Sequence, residues 1–212
     1  MAYVLGFFAA DGCMYANKRG SHYVAFYSTD KQLILAIKKI IGVSNTIERY
    51  QVNDTWKEKY TLQVGSRKAF SRLIDLGFTP NKSLTLQFPK VPDFVLSDFV
   101  RGYFDGDGCI YYGLHNRKDR KSNKFIFMSR FTCGNRKYLE SLQQQLCQVV
   151  GLGKGSLHPH TTAWDLAYAS KDTRQLYYFI YPKPNVHCLL RKRKKFEEGI
   201  AKTSLKVPWC NG

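Results

Sequence analysis

Val4-Leu-Gly-Phe-Phe-Ala-Ala-Asp-Gly-Cys13 and Arg101-Gly-Tyr-Phe-Asp-Gly-Asp-Gly-Cys109 are two versions of one segment. Aligned on the acid, Asp11 matches Asp107, Gly12 matches Gly108, Gly6 matches Gly102 and Phe8 matches Phe104. The offset is close to half of the 212-residue chain. The echo continues downstream, where Tyr60-Thr-Leu-Gln-Val-Gly-Ser-Arg67 answers Trp164-Asp-Leu-Ala-Tyr-Ala-Ser-Lys171 at a slightly larger offset. A long basic loop, Gly113 to Lys124, accounts for the difference from Asn17 to Ser21. Repetition of this kind is the signature of a duplicated unit. We read a first repeat over 1–90 and a second over 91–212, joined around Phe88-Pro-Lys-Val-Pro-Asp93, where two prolines interrupt regular structure.

Each repeat predicts the same elements. A short apolar helix stops at Asp-Gly, and strands follow (Tyr23 to Ser28 and Phe125 to Phe131). A helix is predicted from Asp30 to Ile41, where Leu33, Ile34, Ile37, Ile40 and Ile41 recur at helical spacing, and its counterpart runs from Arg136 to Val150. A hairpin over Thr46 to Val64 turns near Asn53-Asp54, with Leu62 and Val64 alternating against Thr61 and Gln63; Ser156 to Ala169 answers it. Ser66 to Leu76 and Asp172 to Ile180 read as closing helices. The fold class is α+β: two αββαββα halves, with one sheet face packed on helices and the other left open and polar.

The motif helices carry the chemistry. Gly6 and Ala10, like Gly102 and Gly106, are four apart and share a helical face, where small residues let two backbones approach. If the two helices pair, Asp11 and Asp107 meet at their C-terminal ends. The carboxylates repel one another there, and the helix dipoles add to the cost. A cation removes it, and an all-oxygen donor set suits Mg²⁺. The carbonyls of Ala10 and Gly106, freed at the helix ends, are candidate further ligands. Mn²⁺ is expected to substitute, and Ca²⁺ to support binding.

Composition narrows the partner. With 33 Lys+Arg against 16 Asp+Glu the formal charge is +17, which points to a polyanion, nucleic acid first. The apolar run Val4 to Ala10 is too short to cross a bilayer, and we expect neither a secretory nor a transit segment. The six cysteines are scattered, without CxxC spacing, which reads as reduced thiols in an intracellular protein. Only three residues precede the first motif, as in a domain cut from a longer chain.

The segments Val4 to Gly12 and Val100 to Gly108 resemble the two motif copies of single-chain LAGLIDADG homing endonucleases, and the repeat spacing and element order extend the resemblance over roughly residues 1–200. The resemblance implies a pseudo-twofold saddle whose antiparallel sheets lie in the major groove of double-stranded DNA, with a monomer acting on a long specific site. It implies that Asp11 and Asp107 hold the divalent ions that cut both strands across the minor groove. The motif's earlier acid is Ala9 in the first copy and Asp105 in the second, a position that is usually not the catalytic one. The family also places a basic side chain near each cleavage centre. Pro80-Asn-Lys-Ser-Leu84 supplies Lys82, and Leu190-Arg-Lys-Arg-Lys-Lys195 supplies Lys192 or Arg193. Thr29 and Thr132 are candidates for ordering water.

Side chains on the open sheet face would read bases, with lysines and arginines holding phosphates. In the first half these are Tyr23, Glu48, Tyr50, Lys57, Lys59, Thr61 and Gln63; in the second, Arg117, Lys118, Arg120, Lys121, Lys124, Arg130, His158 and His160. His158-Pro159-His160 lacks the partner spacing of a metal site. The alternative to an endonuclease is a non-cutting nucleic-acid binder on the same scaffold, an intron RNA maturase or a transcription regulator. Such relatives often lose a motif acid, whereas both Asp11 and Asp107 are present here.

Overall fold

The structure, a computed structural model, describes residues 1–204 apart from 52, 54, 56, 83 and 117–122. The first half runs α1 (Ala2–Asp11), β1 (Gly12–Ala16), β2 (His22–Ser28), α2 (Lys31–Ile41), β3 (Ile47–Tyr50), β4 (Lys59–Gly65) and α3 (Arg67–Asp75). The second repeats that order with α4 (Asp93–Asp107), β5 (Gly108–Asn116), β6 (Asn123–Cys133), α5 (Arg136–Val150), β7 (Ser156–His160), β8 (Ala163–Ala169) and α6 (Ser170–Ile180), then adds α7 (Leu190–Ser204). Each half holds one antiparallel four-stranded sheet, ordered β1-β2-β4-β3 and β5-β6-β8-β7.

Local chemistry fixes the helix ends. Asp30 is the cap of α2 rather than its first residue, its carboxylate accepting from the Gln32 and Leu33 amides, and Gly42 closes that helix at φ 74°. Asn135 and Gly151 do the same for α5. The motif helices end differently. Gly12 and Gly108 are extended, so each helix passes straight into a strand instead of turning left-handed. Glycine is required there for closeness: a Cβ on Gly12 would lie 2.1 Å from the Phe8 ring, and one on Gly108 2.4 Å from the Phe104 ring.

The two motif helices pair backbone to backbone, and the contacts are reciprocal. A Cβ on Gly6 would lie 1.9 Å from the Phe99 carbonyl oxygen, and one on Gly102 2.0 Å from that of Tyr3. Reciprocity of this kind is what a twofold axis between equivalent surfaces produces. Each helix also roofs its own sheet, Phe8 edge-on to Phe26 and Phe104 edge-on to Phe131. Buried on every side, α1 is apolar all round; Phe7, Phe8 and Ala9 are almost wholly enclosed. The sheets present Met14, Val24, Phe26 and Leu62, and Ile110, Phe127, Phe131 and Leu166, to this core.

Two segments differ from the sequence expectation. Both described ends of the insertion expected as a loop over Gly113 to Lys124 are strand: β5 stays paired with β6 as far as Asn116↔Asn123, and 117–122 lie outside the described residues. The basic stretch at 190–195 opens α7, which turns Lys192 and Phe196 inward and leaves Arg191, Lys194 and Lys195 exposed. Phe196 packs on Phe104 with 5.2 Å between ring centroids. Periodicity is masked there because the buried residues are a lysine, a single phenylalanine and Gly199.

Gly6→Ala should cost about 3 kcal/mol or more in chemical denaturation, because the obstacle is backbone and cannot rotate away. Gly65→Ala, whose Cβ would meet only the Tyr23 ring at 3.6 Å, should change stability by less than about 1 kcal/mol.

Candidate metal centre and nucleic-acid interface

Because α1 and α4 cross at their small residues, their last residues end together. A Cβ on Gly106 would come within 2.3 Å of the Ala10 Cβ and 3.1 Å of Asp11 Oδ2, so the Asp11 carboxylate reaches across the pair. Asp11 is exposed and Asp107 half-buried. Among the described residues neither carboxylate accepts a hydrogen bond from protein. Burial, with the charge of Asp11 second, pushes Asp107 up from 3.8 to about 6. Partial desolvation also raises Asp11, against the pull of Lys192, Lys82 and Lys59.

The two lysines take matching places. Lys82 Nζ donates to the Ala9 and Ala10 carbonyls at 2.9 and 3.3 Å, and Lys192 Nζ to those of Phe104, Asp105 and Gly106 at 2.8, 2.8 and 2.9 Å. Each ammonium lies over the aromatic ring of its own motif, 5.6 Å from the Phe8 centroid and 5.7 Å from that of Phe104. They cap the helix C-termini, opposing the negative dipole ends. The Ala10 and Gly106 carbonyls expected to be free are therefore each accepting a lysine proton. Burial lowers the pKa of Lys82, and pushes that of Lys192 down to about 8. Arg193 faces elsewhere, donating to the Pro184 carbonyl and pairing with Glu197 at 3.0 Å. Asp11, Asp107, Lys82 and Lys192 thus form one electrostatic cluster.

The donors fit a hard divalent cation. Two carboxylates without protein donors, held close enough to repel, with carbonyl oxygens one residue before each, form an oxygen-only set of the kind that binds Mg²⁺ together with water and substrate phosphate.

The open sheet faces carry most of the residues expected to meet DNA. Strand register puts Tyr23, Glu48, Tyr50, Lys59, Thr61 and Gln63 on the first face, away from the helices. Lys57 is exposed just before β4. On the second face lie Lys124, Arg130, Thr132, His158 and His160; Arg117, Lys118, Arg120 and Lys121 fall outside the described residues. Thr29 follows the end of β2. Three sets of contacts were missed in the sequence. Tyr15 stacks on Tyr23 at 5.2 Å and donates to Gln63 Oε1 at 2.7 Å. Buried Asp165 pairs with Arg130 at 3.2 Å and accepts from Thr132 at 2.7 Å. Strand parity could have found Tyr15 and Asp165. Asp105, the third, is bonded to Tyr3 across the helix pair, which no local pattern reveals.

Because the folded pKa of Asp107 lies above its ordinary 3.8, the folded state holds the proton more tightly than the unfolded chain. Its contribution to stability therefore falls as pH rises from about 4 to about 6 and stays low above that. Without divalent cation, Asp107→Asn should raise stability at pH 7.5 by about 1–2 kcal/mol after allowance for solvent screening, and by much less at pH 4. Thermal or urea unfolding at both pH values checks this; an equal gain at both would contradict it.

Residues 1–76 match the LAGLIDADG-like domain family. Among solved structures, the LAGLIDADG homing endonuclease I-LtrWI bound to target DNA is similar at a TM-score of 0.63 and 14% identity, over 97% of this chain and 90% of that one. The LAGLIDADG meganuclease I-AabMI bound to uncleaved DNA gives 0.63 and 14%, over 97% and 91%. I-SmaMI, bound to an uncleaved DNA target in the presence of calcium ions, gives 0.64 and 11%, over 98% and 94%. No curated protein sequence matches the chain. At such identities the structural likeness is one of fold. The chain therefore carries a LAGLIDADG-like match over residues 1–76 and, as a whole, has the fold of the LAGLIDADG homing endonucleases.

Proposed function

We propose that this protein is a site-specific, metal-dependent DNA endonuclease that cuts both strands of a duplex lying across its two open sheets. The observation that carries the reading is the cluster at the helix crossing: two carboxylates that accept no hydrogen bond among the described residues, each beside a buried lysine, one set from each half. A module that only binds DNA gains nothing from holding Asp11 and Asp107 in mutual repulsion, whereas a phosphodiesterase does. The solved structures of like fold that are bound to DNA support the same reading.

Asp11 and Asp107 would hold Mg²⁺, which when bound activates water and stabilises the charge developing on phosphate and leaving oxygen. The residues of the chain do the rest. The paired helices fix the two carboxylates before substrate arrives, so no reorganisation is needed at reaction. Lys82 and Lys192 bring positive charge to a site that must accept phosphate, and their capping bonds keep them from collapsing onto the carboxylates. Lys59 adds a third positive charge that Asp11 feels. On the sheets, Arg130, paired with Asp165, would offer its guanidinium to guanine, while Gln63 and Thr61 would offer amide and hydroxyl contacts to base edges. The surplus of basic residues supplies phosphate contacts and salt-dependent affinity.

Selection of cut sites from a randomised duplex library in Mg²⁺ tests the reading, with double-strand breaks at a recurrent sequence as the expected result. Tight binding with no breaks would favour the non-cutting binder instead. Asp11→Asn and Asp107→Asn should each lower double-strand cutting by at least about 100-fold, a barrier increase of roughly 2.7 kcal/mol, yet leave binding in Ca²⁺ largely intact. Log affinity should fall with log salt by about 0.9 per phosphate contacted; a flat response would contradict the interface. Arg130→Ala should relax preference at one base pair by about 1–3 kcal/mol, read from the same selection.

A further inference from the structure

Asp105 stands where the first repeat has Ala9, and it is 2% exposed. Its Oδ2 accepts two hydrogen bonds, from the Tyr3 hydroxyl at 2.8 Å and from the Leu189 backbone amide at 2.7 Å. Leu189 is the residue from which α7 starts: the amides of Lys192 and Arg193 both donate to its carbonyl, at 2.9 and 3.2 Å. Lys192 therefore sits in the first turn of a helix whose origin is tied to the motif helix by one carboxylate. Arg101, one turn earlier on α4, secures the chain leading into that origin, donating through Nη1 to the Ile180 carbonyl and through Nε to that of His187, each at 2.8 Å. Among the described residues the first half has no such device. Ala9 offers no acceptor side chain, and Lys82 is set instead by a tight turn, in which the Thr85 and Leu86 amides donate to its own carbonyl at 3.1 and 2.7 Å. The Phe78 ring, 5.3 Å from Phe8, anchors that turn to the motif helix.

We infer that Asp105 is a positioning residue for Lys192: it fixes where α7 begins and thereby sets the ammonium of the second half, and of that half alone, against the end of α4. The inference rests on the endonuclease reading for its functional consequence, which is asymmetry between strands. If each lysine serves the phosphate nearer its own half, loosening the Asp105 anchor slows one cut and spares the other. A purely structural role for Asp105 would slow both, since the helix pair is common to the two.

The test uses the full chain on a supercoiled plasmid carrying a selected target site, in Mg²⁺, with the cut on each strand followed separately. Asp105→Ala removes both accepted bonds. Asp105→Asn keeps an oxygen that can accept both, its amide replacing Oδ1, which accepts no bond among the described residues. Asp105→Ala should slow one strand by roughly tenfold or more relative to the other, so that circles nicked on a single strand accumulate; Asp105→Asn should cut both strands at close to the rate of the unaltered protein. Equal slowing of both strands in Asp105→Ala, or slowing of neither, overturns the inference. Amide hydrogen exchange over residues 189–193 supplies a readout independent of cutting, with exchange at least about tenfold faster expected in Asp105→Ala only. Unchanged exchange there overturns the inference as well. Should the unaltered protein cut no DNA, the endonuclease reading fails and the exchange result alone decides the role of Asp105. If Asp105→Ala does not fold, Asp105→Ser, whose hydroxyl ends one bond short of the carboxylate oxygens, carries the same expectations.

Discussion

The contact between the backbones of α1 and α4 governs everything else in this molecule. Gly6 against the Phe99 carbonyl and Gly102 against that of Tyr3 bring the helices closer than any side chain would permit. That approach does two things together. It joins the halves through a large buried aromatic and aliphatic surface, in which Phe7, Phe99, Val100 and Phe104 are wholly enclosed. It also carries both helix C-termini to one point, which is the only reason that Asp11 and Asp107 meet.

Convergence of that kind is electrostatically unfavourable. Two negative dipole ends and two carboxylates occupy one small region, and burial there, with the charge of Asp11 second, lifts Asp107 to about 6. The chain offsets part of this with Lys82 and Lys192, each buried, each donating to the last carbonyls of one motif helix and each resting over that motif's own aromatic ring. The offset is incomplete because the lysines bond to carbonyls and not to the carboxylates, whose oxygens remain open. The arrangement keeps charge balanced over the site while leaving the acids available to a cation.

The parts of this that sequence reveals are those with local or repeated signatures. Duplication of the Gly-aromatic-Asp-Gly block, helical spacing in α2 and α5, and alternation in β4 give the α+β order, the paired aspartates and the open polar faces. Lys82 and Lys192 stand out because a family resemblance points to their segments, although the bonds they make are long-range. What stays hidden depends on contacts between distant positions. A run of basic residues conceals α7, since its inward face consists of Lys192, Phe196 and Gly199 and resembles no ordinary apolar stripe. Asp105 looks like an idle copy of the motif's earlier acid until Tyr3 and Leu189 are found on its carboxylate. The described ends of the supposed loop after Gly113 prove to be strand because β6 supplies the matching register to β5.

The central claim is that the carboxylates of Asp11 and Asp107 jointly hold divalent cations against a bound duplex. Anomalous diffraction from crystals of the protein with target DNA and Mn²⁺ tests it most directly. The account predicts manganese peaks within bonding distance of both carboxylates, between the ends of the two motif helices and beside a backbone phosphate. Manganese bound elsewhere, or DNA seated on the sheets with neither aspartate ligating a metal, would contradict it.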